Sequence, residues 1–322
     1  MKKNEEILVS ICCAAYNHGA YIKKTLDGFL MQKTNFKYEI LIHDDASTDD
    51  TAKIIKEYEK KHKDIIKPIY QKENQYSKGI KVGNLNYNRA KGKYIAVCEG
   101  DDYWIDENKL QMQVDYMEQN PKCTFCFHNA HILNDRTNET RVFVPYLYEN
   151  KKQMKKDGNY NMGELEVLGF IPTASYLFKR TIFDNAPEFY KDAIPGDNSL
   201  KLLAASYGYA HYIDKIMSVY RVGTGISVMD SWRKEHQDLD KKRKFYDKAI
   251  KSLSEFDKFT KHKYKKYFDY SIKYKEFDML YLEQNYKEIK SKKYKEVYNN
   301  LSPRRKIVIN IKYILKLLLK RW

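Results

Sequence analysis

Lys93-Tyr94-Ile95-Ala96-Val97-Cys98-Glu99-Gly100-Asp101-Asp102 is a short apolar run that stops at a glycine and two carboxylates. A nearly continuous apolar run of this length reads as a strand buried on both faces. Adjacent carboxylates repel each other's ionisation unless a cation or a donor compensates them. Mg²⁺ and Mn²⁺ take oxygen ligands, and Mg²⁺ typically uses one or two carboxylates together with substrate phosphates. Gly100 lets the backbone turn and a ligand approach closely. A solvated surface turn would use the same residues, since turns favour aspartate.

Working outward, the first hundred residues alternate between two periodicities. Ile7–Cys13, Tyr38–His43 and Ile65–Tyr70 read as further strands, and Tyr21–Gln32 and Thr51–His62 as helices between them. Such alternation predicts an α/β fold with a doubly wound, mostly parallel sheet. Ligands of such sheets bind beyond the carboxyl ends of the strands. Asp101-Asp102 lies at one such end and Asp44-Asp45-Ala46-Ser47-Thr48-Asp49 at another. A carboxylate in the second cluster can accept a hydrogen bond from the imide N–H of a uracil-type base, while Ser47 or Asp49 can cap the next helix. A nucleotidyltransferase would share the sheet and the acids, but it should carry a Gly-rich phosphate loop. Ala14–Gly19 holds one glycine.

Farther along, Lys109–Gln119 and Asp197–Tyr207 read as helices, and Thr124–Leu133 and Ala174–Phe178 as strands. Pro145–Gly163 is polar and expected to be flexible. Cys123-x-x-Cys126-x-His128-x-x-His131 has metal-ligand types, but strand alternation would aim Cys123 and Cys126 to opposite faces, so they are read as strand side chains. The five cysteines form no disulfide framework and suit a reducing compartment. Lys2 and Lys3 before Ile7–Ala15 are not expected to act as a secretory leader. Glu5 and Glu6 interrupt the charge, and Tyr16-Asn17-His18-Gly19 stands where small residues should flank a cleavage site. No run reaches the ~20 apolar residues that cross a bilayer.

The chain carries a net charge of +16, and nearly all of it lies at one end. Residues 233–322 hold 27 Lys and Arg against 12 Asp and Glu, while residues 1–232 hold 32 against 31. A near-neutral body with a basic end suits a docked enzyme better than a nucleic-acid-binding protein, and no nucleic-acid recognition motif accompanies the charge. Aromatics such as Tyr264, Tyr267 and Tyr274 recur at helical spacing, which predicts a packed helical region over 233–303. In 304–322, Lys312, Lys316 and Lys320 form a stripe beside Ile307, Ile311, Ile314, Leu315, Leu318 and Trp322. This basic amphipathic helix suits either an anionic membrane surface or packing against protein.

Three stretches taken in order carry a resemblance. Val9-Ser10-Ile11 with Tyr16-Asn17, Glu39 through Asp49, and Gly92 through Trp104 resemble family 2 glycosyltransferases. The likeness runs on through Ile194-Pro195-Gly196-Asp197 and Met217-Ser218-Val219-Tyr220-Arg221, covering about the first 230 residues. Those enzymes are inverting, have the GT-A fold and build bacterial surface polysaccharides among other glycans. The resemblance implies a GT-A domain over 1–232, a nucleotide-sugar donor (a UDP-sugar) and a glycan or lipid-linked acceptor; together with the basic tail this suggests a peripheral place at the cytoplasmic face of the cell membrane. The resemblance also assigns residues. Ala14 and Tyr16 line the nucleotide pocket, Asp45 binds the base, and Lys78 contacts phosphate. Asp101 lies near the ribose or donor sugar, Asp102 holds Mn²⁺ or Mg²⁺, and Asp197 is the general base. Relatives often carry a histidine just after the Tyr-Arg pair. Here Val222-Gly223-Thr224 follows, so Arg221 is the candidate to meet the phosphates or acceptor. A non-catalytic nucleotide-sugar-binding scaffold is the alternative, although Asp45, Asp102 and Asp197 are all retained.

Overall fold

The computed structural model describes residues 6–143, 157–225 and 238–319. One sheet organises it. β1 (Ile7–Ala15), β2 (Lys37–Asp44), β3 (Ile66–Tyr70) and β4 (Tyr94–Val97) are mutually parallel, in the order β3-β2-β1-β4. Cys12 at the centre of β1 lies between Leu41 and Val97. Alternate residues of each strand serve opposite faces, as the pleat requires. Ile11, Cys13, Ile40 and Ile42 face one core, which α1 (Ile22–Leu30), α2 (Thr51–Lys61) and α4 (Lys109–Gln119) cover. Cys12, Leu41, Ile95 and Val97 face the other, covered by α5 (Met162–Leu168) and α6 (Gly196–Ser206). A short helix, α3 (Val82–Tyr87), lays buried Asn86 across the strands, where its amide donates to Cys13 O at 2.9 Å and Leu41 O at 3.1 Å.

The rest of the sheet is mixed. β9 (Leu177–Lys179) runs antiparallel to both β4 and β6 (Cys123–Asn134). β6 then pairs in parallel with β10 (Tyr209–Val222), whose other partners, β5 (Tyr103–Trp104) and β8 (Gly158–Tyr160), are antiparallel. β7 (Glu139–Val142) closes back on β6. The sheet is thus parallel where the sequence is most regular, and mixed beyond β4.

Two expectations change. In the β6–β10 pairing, Tyr209 meets Cys123 and Ala210 meets Phe125, so Thr124 is an extra residue. A bulge of this kind resets the alternation. Cys123 and Cys126 therefore share one core rather than facing apart, and all five cysteines are buried free thiols. Within Pro145–Gly163, residues 145–156 lie outside the described part, but Gly158–Tyr160 is a strand and α5 begins at Met162. A capping box opens that helix: Asn161 accepts from the Glu164 amide, and the Glu164 side chain accepts from that of Asn161.

The 232/233 boundary lies outside the described residues. Beyond it, α7 (Leu239–Phe259) and α8 (Lys265–Leu282) place Leu253, Phe256 and Phe268 in the same core as Phe125, Phe178 and Leu202. α9 (Tyr286–Ile289), α10 (Lys295–Asn300) and α11 (Pro303–Leu319) gather around their own cluster of Phe277, Tyr286, Ile289, Val297 and Ile309.

Candidate functional site

The loops after β1 and β2 are laced together. Asn17 donates its N–H to Ser47 Oγ at 2.9 Å and accepts from the Thr48 amide at 2.8 Å. Gly19 N–H donates to Asp49 Oδ2 at 2.8 Å, while Asp49 Oδ1 accepts from the Thr51 amide at the start of α2. The helix-start role thus goes to Asp49. Asp45 is buried and turned into the protein. It accepts from the Gln75 amide at 2.8 Å, the Tyr76 amide at 3.0 Å and His43 Nε2 at 3.1 Å. A carboxylate offers about four acceptor positions, so roughly one remains for a ligand. Asp44 beside it is also buried, and its Oδ1 has no partner. Tyr16 stands 41% exposed at the rim and Ala14 is half-buried. Lys78 sits on the exposed loop that Asp45 holds, ion-paired with Glu73.

The loop after β4 is pinned from below. Thr25 Oγ1 of α1 lies 2.9 Å from Gly100 O and 2.6 Å from Asp102 O. Gly100 has no room for a side chain, since an added Cβ would stand 2.7 Å from His18 Nδ1. Asp102 is buried, and its Oδ1 accepts from the Arg221 amide at 2.8 Å. Burial, then the charges of Asp101 and Glu99, push the Asp102 carboxyl well above its usual range. Glu99, which also bonds Thr173 Oγ1, is raised by burial to about 7. His18 Nε2 approaches Asp101 Oδ2 at 3.9 Å. Glu99, Asp101 and Asp102 crowd one loop, and that mutual repulsion is what a bound cation would relieve. Among the described residues no group of three or more His, Cys, Asp or Glu side chains is arranged to hold a metal ion. A hard cation here would have one or two carboxylates from the protein and would need its remaining oxygens from a ligand such as a diphosphate.

Arg221, at the end of β10, supplies positive charge next to this loop. Its guanidinium lies over the Tyr21 ring at 4.9 Å and the Tyr103 ring at 5.0 Å, and Nη1 donates to Asp135 at 3.0 Å. Asp135 also accepts from Tyr21 at 2.7 Å.

Asp197 lies in the first turn of α6, whose N-cap is Pro195 with no side-chain capping bond, so Asp197 does not serve as the cap. Its charge acts on Glu99, and Tyr220 is held up by burial and by Asp102, Glu99, Asp101 and Asp197 together. The acids of the β4 loop and the first turn of α6 thus lie near enough for their charges to act together on Tyr220. An aromatic shelf adjoins it: Phe170, 42% exposed, lies 5.1 Å from Tyr220 and 6.0 Å from Phe143. Behind Asp197, Asn198 Nδ2 donates to buried Glu166 at 2.9 Å, and Lys275 of α8 faces the same carboxylate at 4.0 Å. Ile194 N–H donates to Ser252 Oγ of α7 at 3.0 Å. Lys201, also buried, bonds Gly169 O.

The sequence profile described as Glycosyl transferase family 2 matches residues 10–184. The chain belongs to that family. An uncharacterised protein of Mycobacterium tuberculosis is 33% identical over 215 residues, 66% of this chain and 58% of its own length. The Escherichia coli UDP-Glc:alpha-D-GlcNAc-diphosphoundecaprenol beta-1,3-glucosyltransferase WfaP is 40% identical over 129 residues, 40% of this chain and 48% of its own. The chain thus matches about half the length of these curated relatives. Staphylococcus aureus TarS 1–349, solved with UDP-GlcNAc, shares the fold with a TM-score of 0.65 over 91% of this chain and 79% of its own, at 16% identity. Pyrobaculum calidifontis mannosyltransferase PcManGT, solved with GDP-Man and Mn²⁺, does so with a TM-score of 0.52 over 99% and 89%, at 14% identity.

The family-2 match spans the β1, β2 and β4 loops but ends before Asp197 and Arg221. Sequence reasoning did not single out His18, Asp135, Glu166 or the shelf, and it took in Asp44 and Glu99 only as members of their motifs. Asp135 left no sequence signal, because its partners Tyr21 and Arg221 are 114 and 86 residues away.

Proposed function

We propose that this chain is an inverting glycosyltransferase that moves a sugar from a UDP-sugar to a hydroxyl of a surface glycan or lipid-linked acceptor. The observation that carries this reading is that Asp197, from a distant segment, comes near enough to the β4 loop for its charge to act on Glu99 and, with those of Glu99, Asp101 and Asp102, on Tyr220. Ala14 and Tyr16 frame the nucleotide. Asp45 takes the imide N–H of the base at its remaining acceptor position and holds the Gln75–Tyr76 wall, with Lys78 at the rim near the phosphates. Asp101 faces the ribose or donor sugar. Asp102 would hold Mn²⁺ or Mg²⁺, which when bound neutralises the leaving diphosphate.

As the acceptor oxygen attacks the anomeric carbon, Asp197 takes its proton, and the bond from that carbon to the diphosphate breaks. Arg221, steadied by Tyr21, Tyr103 and Asp135, offers the phosphates charge where relatives often carry a histidine. Phe170 and Tyr220 present ring faces to the acceptor. WfaP is named for a diphosphoundecaprenol-linked acceptor, which supports a membrane-side acceptor and a peripheral place at the inner face of the membrane.

The test is transfer from UDP-sugars, with and without Mn²⁺, by the wild type and Asp197→Asn. The variant should lose roughly 10²–10⁴-fold in kcat, while UDP-sugar still raises its melting temperature. Undiminished transfer by Asp197→Asn would remove the base assignment. The absence of any melting shift with nucleotide sugars in the wild type would remove the donor class, leaving the scaffold reading.

A further inference from the structure

α11 packs with its faces reversed from the usual arrangement. An amphipathic helix ordinarily turns its aliphatic side to the protein. Here the inward side carries Ile309, fully buried, with Arg305, Lys312 and Lys316 around it. Arg305 pairs with Asp278 and bonds Tyr274, Lys312 Nζ donates to Tyr281 Oη at 3.0 Å, and Lys316 Nζ donates to Gln284 O at 2.8 Å. Lys312 also lies 4.8 Å from the Tyr281 ring and Lys316 5.9 Å from that of Tyr286. The tyrosine-rich surface of α8 and α9 thus takes up the cations of the stripe, as aromatic faces do. Lys320 and Trp322 lie outside the described residues.

The opposite side is a continuous aliphatic row. Ile307, Ile311, Ile314, Leu315 and Leu318 fall on one helical face and are 57%, 52%, 55%, 52% and 53% exposed. Single exposed leucines need no explanation, but a row along a seventeen-residue helix marks a surface that something covers. No described helix is long and apolar enough to cross a membrane. The module that bears the row is strongly basic, with 27 Lys and Arg against 12 Asp and Glu over 233–322. A second copy would bring an equal positive charge against it. An anionic lipid surface brings the opposite charge and an apolar layer at the depth an interfacial helix reaches.

We propose that the aliphatic face of α11 inserts into the surface of an anionic bilayer, lying in its plane, with the basic helical module over the headgroups. The basic stripe named in the sequence braces the helix from behind, and the aliphatic row makes the lipid contact. This does not depend on the sugar chemistry, and its test needs no turnover.

The full chain is sedimented with vesicles of phosphatidylcholine alone and of equimolar phosphatidylcholine and phosphatidylglycerol, alongside the double variant Ile311→Ser/Leu315→Ser. Both substituted positions are more than half exposed, and melting curves check that the fold is kept. The wild type should sediment with the anionic vesicles and bind neutral ones weakly. The double variant should bind the anionic vesicles on the order of tenfold less, since each aliphatic removed takes apolar area out of the contact. A wild type that stays in the supernatant with anionic vesicles overturns the proposal. So does a wild-type dimer that the double variant turns into a monomer without change in vesicle binding, which would assign the row to a second copy. Donor-induced melting shifts, read on the same preparations, keep a failure here separate from a failure of the transferase reading.

Discussion

Replacing Lys109 by methionine tests the packing beneath the diacid loop through a pH dependence whose sign follows from the structure. Lys109 is fully buried on α4, its Nζ 2.7 Å from Gln113 Oε1 and 4.0 Å from the Trp104 ring. Trp104 in turn pairs with Ser218 of β10, three residues before Arg221. Burial pulls the Lys109 pKa from 10.5 down to about 7, against a smaller opposing pull from Cys98 and Cys126. Between those values the unfolded chain holds a proton on this amine and the folded chain does not. Stability therefore falls as pH drops through that window, and the loss is complete once both states are charged below about 7.

One pKa unit corresponds to about 1.4 kcal/mol, so the change from about pH 9 to about pH 7 amounts to roughly 2 kcal/mol. His128, the other buried base nearby, is held well below its usual 6.5 by burial and by Lys109, so it is silent in this range. Methionine keeps the stem and removes the amine. Losing the bond to Gln113 adds a pH-independent cost of about 1 kcal/mol, so the slope is the readout. In urea unfolding across this range, the stability of Lys109→Met relative to wild type should rise by roughly 2 kcal/mol on going down to about pH 7. Two stability curves that run parallel would refute the buried, uncharged lysine.

Asp102→Asn should abolish Mn²⁺ binding measured by calorimetry and lower kcat by on the order of 10³-fold or more, while the fold survives, because the amide oxygen still accepts from the Arg221 N–H. Phe170→Ala should raise the acceptor KM about five- to tenfold, the value of a lost ring contact, and leave the donor KM unchanged; a donor effect would place the shelf elsewhere. Glu166→Gln weakens the brace behind Asp197 and should lower kcat by about tenfold with both KM values held. Equal losses in every parameter would mark Glu166 as a stability residue alone.

The parallel half of the sheet was legible because its strands are buried on both faces and therefore read as apolar runs ending in acids. β10 was not. Asp214 and Lys215 break its apolar pattern, and the register shifts between Ile213 and Ser218 spoil its alternation. α5 opens at the end of a polar stretch, where its sequence signal is the capping box Asn161-x-x-Glu164. The acids after β2 and β4 stood out by their place at strand ends, whereas Asp197, in the first turn of α6, was picked out only by the family likeness. Their environment was not legible, because Arg221 is caged by Tyr21, Tyr103 and Asp135, which meet only in the folded chain. For α11, spacing gave both faces, but not which one turns inward. That was decided by the tyrosines of α8 and α9, which receive lysines better than they receive leucines.

The bond from Ile194 to Ser252 and the contact of Lys275 with Glu166 bear on how such proteins exchange parts. A chimera joined near residue 232, where the charge changes, would give Asp197 a foreign backing and open a core that Leu253, Phe256 and Phe268 now fill. A junction after Leu282 would carry the segment, its brace and its share of the core across as one piece. New acceptor chemistry grafted onto this scaffold should be inherited with α7 and α8 attached.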